Sequence, residues 1–194
     1  MCKLKSAIIL KNKIFMPDYD SHSDMLSELG IEDNYLGASK TFVRAELSPV
    51  DGDVFSDIDT WKLNVDQDFT PEWFSEEEYK PLMVEKVKEW AKTHIHIGVE
   101  GLKISAGQNH YIKDCKDVEI YDSASVKYIR GSASVEYICG SASVEKLFGF
   151  ATVSSSRHTE WKNKASLVIT ENATFRDCYN KVIYQAGDWK LVGV

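Results

Sequence analysis

Residues Ser123–Gly149 read SASVKYIRG, SASVEYICG, SASVEKLFG, one nine-residue phrase three times over. Aligned at period nine, Ala124, Ala133, Ala142 and Ala151 form one column, and Val126, Val135, Val144 and Val153 form a second. A third holds Ile129, Ile138 and Leu147, while Gly131, Gly140 and Gly149 fall in the turn. The next unit, FATVSSSRH, keeps the Ala and Val columns and loses the rest.

Alternation converts these columns into geometry. Residues two apart on a strand share a face, so Ala and Val point one way and Ser125, Ser134 and Ser143 the other. One unit is too short to wrap a core. The expectation is therefore two units per turn, a parallel β-roll with Gly-Ser corners. At about 4.8 Å per turn, four units rise roughly 10 Å. Such a stack cannot bury its own ends and needs caps.

The flanking text supplies candidates for those caps. Upstream, AIIL and KIFM suggest a small hairpin around Asn12. DSHSDMLSELG has the Ser N-cap, apolar Met25, Leu26 and Leu29, and terminal Gly30 of a short helix. TFVRAEL and WKLNV alternate as strands. TPEWFSEEEYKPLMVEKVKEWAK carries a helical stripe at Met83, Val87, Trp90 and Ala91, and the chain returns to strand periodicity in HIHIGVEGLKI. Downstream, KVIYQAGDWKLVGV reads as a closing hairpin, Lys181–Gln185 with Trp189–Val192. The reading is an α+β domain over residues 1–105, then a short parallel β-solenoid with a C-terminal β-hairpin cap over 106–194.

At this point a resemblance enters. FVRAELSPVDGDVF, VDQDFTPEWF, KEWAKTHI and the SASV array resemble a family of bacteriophage and prophage proteins, especially of gut bacteria, in which a similar unit precedes nonapeptide arrays of variable length. The resemblance covers essentially the whole chain. It implies an architecture and a mobile-element origin, and it brings no catalytic residue; the function expected of the chain is that of a non-enzymatic binding or structural protein acting on a host or virion protein.

Bulk properties narrow the classes further. Thirty acidic against twenty-three basic residues give a net charge of −7, which argues against nucleic acid or an anionic membrane as partner. The apolar run Ala7–Leu10 is too short for a signal segment, and four scattered cysteines form no CxxC pair. The expected setting is the host cytoplasm, without secretion. No nucleophile elbow, phosphate loop or calcium-binding repeat is present, so no cofactor is expected and the reading leans away from an enzyme.

Two groups of residues carry functional expectations. The outward columns Ser125, Ser134, Ser143, Lys127, Glu136 and Glu145 would form ladders fit to bind a protein. The alternative is a small metal-dependent hydrolase or ligand-sequestering protein. It would use His22 and Asp24 of the DSHSD segment with His94 and His96 of HIHI, since a pair of histidines two apart on a strand shares a face. Uncapped solenoid edges would offer a route to homo-oligomers.

Overall fold

The computed structural model describes residues 4–186, the side chains of 35, 164 and 165 aside. The chain divides into two compact units, residues 1–92 and 93–194. The first solenoid strand therefore begins well ahead of residue 106.

In the first unit, β1 (Lys5–Leu10), β2 (Lys13–Phe15), β3 (Phe42–Ser48) and β4 (Lys62–Val65) form an antiparallel sheet in the order β2-β1-β3-β4. Alternation sorts the two faces. Ala7, Ile9, Val43, Ala45 and Leu47 are buried on one, and Ile8 and Phe42 on the other. Ile8 and Phe42 join Met25 and Leu26 of α1 (His22–Glu28) and Ala38 of α2 (Tyr35–Lys40) in one core. Ser21 caps α1, its Oγ accepting the amide of Asp24 at 3.3 Å. The long helix α3 (Glu76–His94) opens on three acids, which suit the positive end of its dipole. The Lys5 ammonium is fully buried, 3.2 Å from Asp20 and 5.4 Å from the centre of the Trp90 ring of α3.

The second unit is the β-solenoid. One parallel sheet stacks β5 (Ile95–Ile97), β7 (His110–Lys113), β9 (Ser125–Arg130), β11 (Ser143–Leu147) and β13 (Val168–Ile169). The other stacks β6 (Lys103–Ile104), β8 (Val118–Ile120), β10 (Ser134–Ile138), β12 (Thr152–Ser155) and β14 (Thr174–Asp177). In the repeat Ser143 lies opposite Ser125 and Val144 opposite Val126, a step of two nonapeptides per coil. Elsewhere the step changes. It is shorter than two nonapeptides from Ile95 to Tyr111 and from Ile112 to Ile129, and longer from Leu147 to Ile169.

Five strands per parallel stack rise roughly 19 Å at the usual strand spacing, about twice the height expected from the SASV units alone. Coils without the SASV text adopt the same shape because they keep its inward apolar positions. Ile112, Cys115, Val118 and Ile120 before the repeat, and Ala173 and Phe175 after it, share one buried core with the Ala, Val and Ile columns.

The corners are also shared. Gly98, Asp114, Gly131, Gly149 and Glu171 follow successive strands of the first stack, and all have positive φ, from 55° to 74°. Asp114 and Glu171 further hold the stack through their carboxylates. Asp114 accepts the amide and hydroxyl of Ser132 at 2.7 and 3.1 Å, and Glu171 accepts the amide of Gly149 at 2.7 Å.

The long coil between β11 and β13 has its own solution to a missing ladder bond. The carbonyls of Ala124, Ala133 and Ala151 each accept an amide one coil later, from Ser143, Thr152 and Thr174, all at 2.9 Å. At Ala142 side chains take over. Its carbonyl accepts Trp161 Nε1 and Asn163 Nδ2, both at 2.8 Å, and Asn163 Nδ2 also reaches the Ser141 carbonyl at 2.9 Å. Trp161 itself is buried, edge-on to Phe175 at 5.2 Å.

The first arm of the expected closing hairpin is a strand, and it also pairs on its upstream side. β15 (Val182–Gln185) pairs antiparallel with β14, Phe175 facing Tyr184, around the turn Cys178–Lys181. The turn chemistry lies in Asp177, whose carboxylate accepts the amide and side chain of Asn180 at 3.1 and 2.9 Å. The expected second arm, Trp189–Val192, falls outside the described residues.

Candidate functional site

Two units per coil send alternate repeats to different sheets, so the six expected ladder residues do not share one surface. Ser125, Lys127, Ser143 and Glu145 lie on β9 and β11 of one sheet, with Ser125 opposite Ser143 and Lys127 ion-paired to Glu145. Ser134 and Glu136 lie on β10 of the other sheet, where Ser134 pairs with Thr152 and its Oγ accepts the amide of Asp117 at 3.3 Å.

The strands also bend within each unit. Val126 and Ile129 are both buried although three apart, which turns Lys127 and Tyr128 outward together. That bend brings Tyr128 into an aromatic row which alternation alone does not show. Tyr111, Tyr128 and Phe148 stand along the β7-β9-β11 face, Tyr128 edge-on to Tyr111 at 5.5 Å and to Phe148 at 5.9 Å. Arg130 and Lys146 place their charges 5.7 and 5.3 Å from the Phe148 ring centre. Each group rests where a cation meets a ring face. Tyr111 is buried beneath this surface, whereas Tyr128, Phe148, Arg130 and Lys146 are part-exposed.

The histidines of HIHI occupy the start of the same unit. His94 ends α3 and His96 lies in β5, so the two do not share one strand. What joins them is His110, which opens β7 one coil later. The His110 ring stacks on His94 at 5.0 Å and 14° and on His96 at 5.6 Å and 21°. His110 Nε2 lies 2.9 Å from the Ala106 carbonyl, which only accepts, so that nitrogen carries the proton. His110 Nδ1 then accepts from His96 Nε2 at 3.4 Å. Burial, with His110 and His94 alongside, pushes the His96 imidazole down to about 4. At neutral pH His96 is therefore an uncharged ring within this stack.

In the first unit His22 begins α1 and is buried. Asp24 stands in the first turn of that helix, exposed, its amide engaged by the cap. The group that gathers around His22 is a different one. Single ligand atoms of His22, Glu46 and Asp66 all lie within 4.8 Å of one another. Glu46 comes from β3 and is buried, and Asp66 follows β4 with its carboxylate largely exposed. In sequence Glu46 stood in an ordinary alternating strand and Asp66 in a turn-like acidic stretch. Only strand register brings both under His22.

Among the described residues no helix is long and apolar enough to cross a membrane. No family model, curated protein or solved structure matches the chain.

Proposed function

We propose that the protein is a non-enzymatic binding module that engages a protein partner through the outer β7-β9-β11 face of its solenoid. The observation that carries this reading is the part-exposed pair Tyr128 and Phe148, backed by buried Tyr111, with Arg130 and Lys146 set against Phe148. The Ala, Val and Ile columns fill the solenoid core without Tyr128 or Phe148. Tyrosine, phenylalanine and arginine are the residues that protein interfaces concentrate, since they offer large rigid area with a polar edge. Ser125 and Ser143, with the Lys127–Glu145 pair, form a flat polar border to the row.

The resemblance to prophage proteins supports a host or virion protein as the partner, encountered in the host cytoplasm. An array of repeats suits this role because coils can be added or lost without disturbing the rest. Affinity capture from host lysate with tagged protein tests the reading. The control replaces Tyr128 with Ser and Lys146 with Glu, both outside the core. A stoichiometric partner held by the native chain and lost by the control is the expected result. Equal retention by both proteins would remove this face from the account.

A further inference from the structure

We propose that the first unit binds a divalent first-row transition-metal ion through His22 Nδ1, Glu46 and Asp66, with the Ser6 hydroxyl beside them. The contacts of His22 place a proton on one of its ring nitrogens. Its Nε2 lies 3.3 Å from the Ala45 carbonyl, which has no proton to give, so Nε2 is the donor. In the neutral ring Nδ1 is then a bare lone pair. It faces the Asp66 carboxylate at 3.5 Å, another group with only lone pairs. Both can turn lone pairs toward one ion set between them.

Two ligands placed about 2.0–2.1 Å from one tetrahedral ion stand about 3.4 Å apart, which matches the His22–Asp66 separation. Glu46 brings a second carboxylate into the same space. Ser6 is the direct cross-strand neighbour of Glu46, so both project from one face of the sheet. Its Oγ is buried and has no hydrogen-bond partner among the described residues, a desolvated lone pair that a nearby ion would engage.

The outer arrangement fits as well. Metal-bound imidazoles usually donate their remote N–H to a carbonyl or carboxylate, which fixes ring and tautomer. The Ala45 carbonyl does this for His22. One nitrogen and carboxylate oxygens suit zinc or manganese better than a soft ion. Because Asp66 is exposed, solvent can complete the coordination sphere.

The test uses the full chain, stripped with chelator and titrated with zinc and then manganese in a calorimeter. One equivalent should bind. Asp66→Ala and His22→Gln should each weaken binding at least tenfold, while His96→Gln should leave it unchanged. Asp66 is exposed, so its variant keeps the fold, and circular dichroism checks this for both. Absence of binding by the native chain overturns the proposal, and so does binding that Asp66→Ala leaves undiminished.

Discussion

Replacing Gly149 by Ala isolates the demand that stacking makes on a solenoid corner. Gly149 has φ of +74°, and a Cβ built there would lie 2.9 Å from the amide nitrogen of Gly131, with the carbonyl oxygen and Cα at 3.2 and 3.3 Å. Those atoms are backbone of the preceding coil and cannot rotate away. The left-handed conformation costs an alanine about 1–2 kcal/mol. Forcing an extra carbon into close packing adds roughly 1–3 kcal/mol. The expected loss is therefore about 2–5 kcal/mol.

Gly98 provides the internal control. It has φ of +65° at the equivalent corner of the first coil, with nothing within 4 Å of a built Cβ. Gly98→Ala should cost only the conformational part, about 1–2 kcal/mol. Gly131 completes the series. There a Cβ would fall 2.1 Å from Asp114 Oδ1, the end of a side chain that can swing aside only by giving up Ser132. Gly131→Ala should consequently cost less in an Asp114→Gly background than in the native one, a non-additivity that a double-mutant cycle reads directly. Urea unfolding followed by circular dichroism measures the whole series. If Gly149→Ala costs no more than Gly98→Ala, the close-stacked corner is wrong.

Three further outcomes follow from named contacts. Trp161→Phe keeps an aromatic ring and removes one donor to Ala142, so thermal unfolding should show a loss of about 1 kcal/mol; adding Asn163→Ala leaves that carbonyl without its side-chain donors and should cost about 1–3 kcal/mol more. The Ser132 amide and hydroxyl hold the Asp114 carboxyl below the usual carboxylate range. Its folded pKa lies below the unfolded one, so its contribution is present above the unfolded value and lost as pH falls through the folded one; in urea titrations across acid pH, Asp114→Asn should flatten this loss. His96 is held down to about 4 by burial, so protonation favours the unfolded chain. Stability should fall as pH drops from the ordinary histidine pKa of about 6.5 towards 4, and His96→Gln should remove that slope.

Much of the fold was legible because periodicity is a local signal. The Ala and Val columns place two nonapeptides in each coil, and the hairpin, the first short helix and α3 appear where the apolar spacing puts them. The outer coils were harder to read. Their steps are shorter or longer than two nonapeptides, so no fixed period aligns them, and Asp114 and Glu171 do the corner work that Gly does in the repeat. An acidic residue in left-handed backbone leaves no mark that separates it from a surface acid. The short helix α2 is another such case, since its capping Asn34 sits in a stretch with little apolar pattern.

Side-chain clusters were the least legible, because they depend on register between distant strands. Glu46 meets His22 only after β1 and β3 align, with Ser6 opposite Glu46. His110 joins His94 and His96 only because the first coil is shorter than the repeat dictates. Likewise the ladder residues divide between two faces as soon as two units make one turn. The bend between Val126 and Ile129 then sets Tyr128 outward beside Lys127.

Photo-crosslinking tests most directly whether one solenoid face meets a partner. A benzophenone amino acid is placed at Tyr128 on the β7-β9-β11 face in one protein. In a second it replaces Tyr137, which is 39% exposed on the opposite sheet. Both are irradiated in cells that express the protein and resolved by mass. A discrete adduct from position 128 and none from position 137 is the predicted result. An adduct from 137 alone, or none from either position, would contradict the assignment of this face.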